Sequence, residues 1–370
     1  MQPASETELA EAVRGARGPL AIRGGGTRGI GRPVAGEALS LAALSGVVLY
    51  EPAALTLVVK AGTPLAEVEA VLAGEGQRLP FEPMDHRGLL GSAGASTVGG
   101  VVAGNVSGPR RVQAGACRDA LIGVRFVDGS GVVVKNGGRV MKNVTGYDLC
   151  KLMAGSHGTL GVLSEVAFKL LPAPEASASL RLEGLADRDA VAAMASALTS
   201  PFEVTGAAHL HGEGTFLRLE GFEAQVAYRA GRLAERLAGF GAVTVERDPE
   251  AVAARWAAIR DVAAFHGRAG DVWRVSVKPS DGPEVAARAG AEAVQYDWGG
   301  GLVWLLMPEG TDLRARLEEL GGHATLVRAA PETRARIAPF PPEPAPVAAL
   351  SAALRAKFDP RGVLNPGLMG

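Results

Sequence analysis

The sequence predicts an α+β fold in two parts with a short tail, on three observations. The first half alternates short β-like runs with Gly- and Pro-rich punctuation. Composition shifts at Pro172-Ala173-Pro174. From Ala176 to about Val327 the order strand–helix–strand–strand–helix–strand then describes an antiparallel sheet with helices packed on it. Finally, 370 residues are too many for one ordinary domain. One domain is therefore expected at 1–172 and a second, antiparallel α+β cap domain at 173–340. A stiff Pro-rich linker at 340–346 leads to a helix and tail at 347–370. The tail is expected to return to the first domain, because it holds a polar Asn365 in apolar company.

Taken in order, Leu20–Ile22 is a short strand and 55–60 (LTLVVK) a β-branched one. Thr63 and Pro64 read as N-cap and first residue of a helix to about Ala73, with Leu65, Val68, Val71 and Leu72 on one face. Residues 120–127 and 131–134 form a hairpin around Asp128-Gly129-Ser130-Gly131. A short helix covers 148–153 and a strand 161–171. In the second part, strands are expected at 177–182, 204–211, 215–220, 272–278 and 301–307. Helices are expected at 188–197, 224–240, 283–289 and 312–320, with a last one at 347–358.

Composition excludes several classes. Apolar residues are 47%, which rules out disorder. With 38 Lys+Arg against 39 Asp+Glu there is no electrostatic footprint for nucleic acid. No run of apolar residues is long enough for a membrane-spanning helix. Glu6, Glu8 and Glu11 argue against a secretory signal in the first twenty residues. Cys117 and Cys150 cannot build a disulfide framework. A cytoplasmic protein is expected, with at most peripheral association with the inner face of the cell membrane.

Glycine is the anomaly: 50 residues, about twice the usual ~7%. Gly24, Gly26 and Gly29 satisfy G-x-G-x-x-G after a strand, but Gly31, Pro33 and Gly36 forbid the helix a dinucleotide-binding βαβ unit needs there. What remains is a run of backbone N–H donors between Arg23 and Arg28, a nest that suits phosphate. A second cluster, 91–111, mixes glycines with Ser96, Thr97, Asn105 and Ser107, as a chain wrapped on a flat ligand requires. A third, 141–162, embeds Lys142, Asn143, Tyr147 and His157 in apolar sequence. His209-x-His211 places two imidazoles on one strand face, but no acidic neighbour in sequence completes a metal set, so no metal is expected.

Together these segments resemble the vanillyl-alcohol-oxidase type of flavoprotein, with its PCMH-type FAD-binding domain of two αβ subdomains. Within that group the chain is similar to the smaller, FAD-binding (E) subunits of bacterial glycolate oxidases. The motifs are GQRLPFEP (76–83), SGPRR (107–111), VMKNVTGYD (140–148), WRVSV (273–277), DWGG (297–300), GGHAT (321–325) and FDPRGVLNPG (358–367). The resemblance implies FAD between the two subdomains. Ile22, Arg23, Gly24, Gly25, Gly26, Thr27 and Arg28 would hold the pyrophosphate. Ser96, Thr97, Gly99, Gly100, Gly104, Asn105, Ser107 and Gly108 would line the adenosine–ribityl channel, and Gly158, Gly161 and Val162 would close over the ring. Pro83, Arg110 and Asn365 complete the cofactor set.

The same resemblance implies oxidation of a small 2-hydroxy acid, glycolate to glyoxylate, with electrons leaving through a larger FAD-containing subunit and an iron–sulfur subunit. Arg274, then Lys278, are the cations expected to hold the carboxylate, with Lys142 and Tyr147 as further catalytic candidates in the cleft. The first loop lacks the His through which some relatives attach FAD, so FAD is expected to be non-covalent. The H-G-x-G-D-x-N-x-H metal motif of larger catalytic relatives is also missing. That leaves open a non-catalytic flavin-binding assembly or electron-relay subunit, or a stand-alone FAD oxidase of another alcohol.

Overall fold

The computed structural model describes residues 1–138, 146–317 and 321–370. Strands β1 (Leu20–Arg23) and β2 (Glu37–Ser40) pair in parallel, and the C-terminal tail bridges Leu364 to Leu20 beside them. A five-stranded antiparallel sheet follows, formed by β3 (Val47–Glu51), β4 (Thr56–Lys60), β6 (Leu121–Val127), β7 (Val133–Gly137) and β8 (Val162–Lys169) in the order β3-β4-β8-β6-β7. β5 (Gln77–Arg78) pairs with β9 (Leu171–Pro172). Leu57, Val59, Val124, Phe126, Val166 and Phe168 bury against Leu65, Val68 and Leu72 of the helix Leu65–Gly74 and Val98, Val101 and Val102 of the helix Val98–Ala103.

From Ala176 the chain builds a second sheet of eight antiparallel strands. They are β10 (Ala176–Leu182), β11 (Gly206–Leu210), β12 (Gly214–Gly221), β13 (Val243–Glu246), β14 (Asp271–Ser276), β15 (Ala293–Asp297), β16 (Leu302–Met307) and β17 (His323–Arg328), in the order β13-β10-β12-β11-β15-β16-β14-β17. Side chains alternate across it, as a pleated strand demands. Trp273, Val275, Tyr296, Val303 and Leu305 share a core with the helices Asp187–Leu198, Glu223–Leu237 and Gly282–Ala289. Val272, Leu302, Trp304, Leu306 and Val327 alternate to the other face and join the core of the first sheet.

A buried ion cluster locks that junction. Arg218 donates to both carboxylate oxygens of Glu82 at 2.8 Å, and Arg110 and Arg78 both donate to Glu220. Burial acts to raise the Glu82 and Glu220 carboxyls, but Arg218 and Arg110 outweigh it and hold both below the usual carboxylate range.

The α+β class expected from the sequence is the one observed. Local details differ. Thr63 caps no helix: it is fully buried, and its hydroxyl accepts from the Gly46 N–H and sits 2.7 Å from the Lys60 carbonyl, tying two loops together. Pro64 takes the N-cap position. The helix expected at 312–320 is a single turn, Leu313–Arg316, among the described residues. The helix Pro249–Arg260 and strands β13, β15 and β17 were not anticipated, because charged residues and short spans hide their periodicity. No described helix is long and apolar enough to cross a membrane.

Candidate functional site

Between the two sheets lies a cavity of about 470 Å³, within the ~300–1,000 Å³ of small-molecule sites. One wall is the loop after β1. Gly24 and Gly25 pack so closely on the segment before the helix Val98–Ala103 that a Cβ would fall 2.2 Å from Thr97 Oγ1 and 1.5 Å from the Ala95 carbonyl oxygen. Gly26, at φ +72°, has nothing within 4 Å of a would-be Cβ and turns the chain past the opening. No helix follows this loop through residue 36. Ile22, Arg23, Thr27 and Arg28 line the cavity with these glycines.

The tail fixes the loop from behind. Asn365 Oδ1 accepts from the Ile22 N–H at 2.8 Å, and its Nδ2 donates to the His157 carbonyl at 2.9 Å. One buried amide thus ties β1, the tail and the Gly158 turn together. Thr97, Gly99, Gly100, Gly104, Asn105, Ser107, Gly158, Gly161 and Val162 also line the cavity.

Four expected cofactor residues stand behind that lining. Ser96 Oγ accepts from Arg28 Nη2 at 2.6 Å. Arg110 is spent on Glu220. Gly108 gives its carbonyl to Trp298 Nε1 at 3.1 Å. Pro83 is buried one residue before the lining residue Met84.

The opposite wall comes from the second sheet. Arg274 on β14 pairs across to Trp304 on β16 and Thr325 on β17, and Ser276 pairs to His323, so all five side chains face the cavity. Arg274 lies 5.1 Å from the centre of the Trp298 ring and Arg111 lies 4.5 Å from it. Neither guanidinium hydrogen-bonds a described residue. Burial, then the neighbouring Arg111 charge, pushes Arg274 down to about 10, so it remains a cation at neutral pH. Arg28 is pushed to about 10 by burial. Arg23, Arg28, Arg111, Arg118 and Arg274 line the cavity, and no Asp or Glu does among the described residues.

Two more imidazoles line the cavity, His86 buried and His157 half-buried. Burial, then Arg28, holds His86 down to about 3, and its Nδ1 accepts from Arg28 Nε at 3.3 Å. Burial holds His157 down to about 4. Both are neutral at physiological pH.

The other expected catalytic residues are not brought together with Arg274. Lys278 follows β14 after the strand has left the cavity, and is exposed. Tyr147 is 90% exposed. Lys142 lies outside the described residues. Sequence reasoning missed His86, Arg111, Ser276, Trp304, His323 and Thr325 as cavity residues. The signal was available only in part: GGHAT was recognised as a motif without a role for its His323 and Thr325.

His209 and His211 face away from this cavity. The expectation that they lack an acidic partner fails, because folding brings Asp187, 24 residues before His211, to 2.8 Å from His211 Nδ1.

Comparison with known proteins gives three findings. Residues 1–137 match a family described as an FAD binding domain. The chain is 38% identical to glycolate oxidase subunit GlcE of Escherichia coli K12 over 95% of its length and 92% of that protein. It is also 31% identical to glycolate oxidase subunit GlcD of Bacillus subtilis, over 44% of the chain and 34% of that protein. In structure it is similar to 4-ethylphenol oxidase from Gulosibacter chungangensis, at TM-score 0.72 and 15% identity over 100% of the chain and 88% of the other. An alkyldihydroxyacetonephosphate synthase gives TM-score 0.70 at 16% identity, over 99% and 76%. At those identities the structural likeness speaks for the fold.

Proposed function

The chain belongs to the family of glycolate oxidase subunit GlcE, and from that premise we propose that it is the FAD-binding subunit of a complex that oxidises a small 2-hydroxy acid, glycolate, and passes the electrons to partner subunits. The cavity fits FAD: a glycine loop whose Gly24 and Gly25 seat on residues 95–97 with no room for a Cβ, next to several arginines with no acid among the described lining residues, suits a diphosphate. Residues 22–28 and 97–107 would hold it, with the Gly158 turn and Asn365 closing the end. Bound FAD supplies the hydride acceptor.

The observation that carries the substrate reading is the pair Arg274 and Arg111, two guanidiniums within 4.5–5.1 Å of the Trp298 ring centre with no ion-pair partner among the described residues. Such a pair invites an anion, and Arg is the side chain that binds a carboxylate bidentately. His323 stands diagonal to Arg274 on the same sheet face, placed to accept the hydroxyl proton of an acid held by Arg274. His86 is engaged by Arg28 and His157 packs edge-on against Phe340, away from β14, so we assign the base to His323.

The partner reading is supported by the helix Ala345–Phe358, which buries no residue and presents Val347, Leu350 and Leu354 as an exposed stripe. We place the larger flavin subunit there. Leu350→Glu should abolish co-purification with that subunit while leaving flavin content intact, and unchanged co-purification would move the contact elsewhere.

Anaerobic addition of glycolate to the purified chain should bleach its flavin bands. Acid precipitation should release all of the flavin, as non-covalent binding requires. A flavin that glycolate reduces only when the larger subunit is present would replace the catalytic reading with an electron-relay one.

A further inference from the structure

The far face of the second sheet carries a second constellation. His209 on β11 pairs in register with Tyr296, and Tyr296 with Val303, which itself pairs with Val275. This row is the helix-covered face, so His209 points away from Arg274 and the cavity. His211, two residues on, shares the face. The helix Asp187–Leu198 begins over these two residues, and ligand atoms of Asp187, His209 and His211 all lie within 4.8 Å of one another.

The individual contacts have the form of a cation site. His209 is 1% exposed. Its Nδ1 is 2.9 Å from the buried Thr215 hydroxyl, which fixes the ring and leaves Nε2 to point at Asp187. Nε2 lies 3.3 Å from Asp187 Oδ1 and has no hydrogen-bond partner among the described residues. A buried nitrogen left without a partner is costly. The 3.3 Å between His209 Nε2 and Asp187 Oδ1 matches the edge of a tetrahedron with metal–ligand bonds of about 2.0–2.1 Å, whereas His211 Nδ1, 2.8 Å from the same oxygen, sits at hydrogen-bond distance and would move outward to admit an ion. Asp187 Oδ2 accepts from the Tyr296 hydroxyl at 2.7 Å, so the carboxylate, like the imidazole, is oriented from behind. Outer partners of this kind accompany metal ligands. His211 is largely exposed, which gives the third ligand room to adjust and leaves a coordination position open to solvent.

We propose that Asp187, His209 and His211 form a site for a borderline divalent transition ion, of which Zn²⁺ is the best match to two imidazoles and one carboxylate. The ion would pin the start of the helix Asp187–Leu198 to the edge of β11. It would not take part in flavin chemistry, since none of the three residues lines the cavity.

The test uses the untagged flavin-loaded chain, stripped with chelator, dialysed, and titrated with zinc chloride in a calorimeter. One equivalent of Zn²⁺ should bind and raise Tm. His211→Ala, at an exposed position, should weaken binding at least tenfold, and Asp187→Asn likewise, with the flavin spectrum unchanged in both. Absence of stoichiometric uptake by the wild-type chain would overturn the proposal. So would uptake that survives both substitutions.

Discussion

The cavity wall from residues 22–28, 97–107 and 158–163 is rich in glycine backbone, whereas the wall from β14, β16 and β17 carries a side chain at every position. The backbone wall needs glycine: Gly24, Gly25 and Gly99 sit where a Cβ would fall within 2.7 Å of a neighbouring atom. The side-chain wall needs register: Arg274, Trp304, Thr325 and His323 meet only because β14 lies between β16 and β17. In the proposed reading the first arrangement would recognise what every FAD shares, its diphosphate and flat rings. The second could then be changed one residue at a time without disturbing the first, which would give a common flavin fold a particular substrate.

The sharpest way to break this division is Gly25→Val. Its side chain would have to occupy the space of the Ala95 carbonyl, so the loop must leave its seat. Flavin content should fall more than tenfold, read as the ratio of flavin to protein absorbance, with a lower Tm. Full occupancy would show that the loop is not where FAD is held.

On the opposite wall, flavin content should stay constant while chemistry suffers. His323→Gln should slow reduction of the flavin by glycolate about a hundredfold or more, the usual contribution of a positioned base. Arg274→Met should cost about ten- to two-hundred-fold in kcat/KM, the loss of about 1.5–3 kcal/mol for a charged hydrogen bond. Stopped-flow reduction measures both. Unchanged rates in the Arg274 variant would leave its guanidinium a structural partner of Trp298 and nothing more.

The same division decides what could be read from the sequence. Glycine constraints are local, so 22–28 and most of 96–108 were legible as a cavity-lining chain, and strands such as β4 and β8 announced themselves by their valines. Asn365 was legible as an oddity, a polar residue in an apolar tail, although its bonds to Ile22 and His157 span most of the chain. Register is not local. Nothing in the sequence says that His323 lies beside Ser276 or that Asp187 meets His211, because those meetings are made by strand order and a helix start. For the same reason Lys278 stood as the second choice after Arg274, although β14 ends between them. Arg110 looked like a ligand-binding cation until folding supplied Glu220.

The mildest test concerns Thr325. It faces Arg274 across β14 and β17 and lines the cavity, and its hydroxyl has no hydrogen bond to a described residue. A carboxylate held by Arg274 would be within its reach. Thr325→Val keeps the shape and the β-branched stem but removes the hydroxyl, which costs about 0.5–1.5 kcal/mol, or roughly two- to ten-fold in affinity. The carboxylate keeps its charge throughout the reaction, so this bond is equally strong in ground and transition states and the loss should appear in KM with kcat unchanged. His323→Gln should show the reverse, a fall in kcat with little change in KM, because the base acts only as the proton moves. If Thr325→Val lowers kcat and leaves KM alone, the acid does not lie between Arg274 and Thr325, and the substrate must be placed nearer Arg111. If it lowers flavin content instead, this wall holds FAD too, and the separation of a cofactor-binding backbone from a substrate-binding sheet is lost.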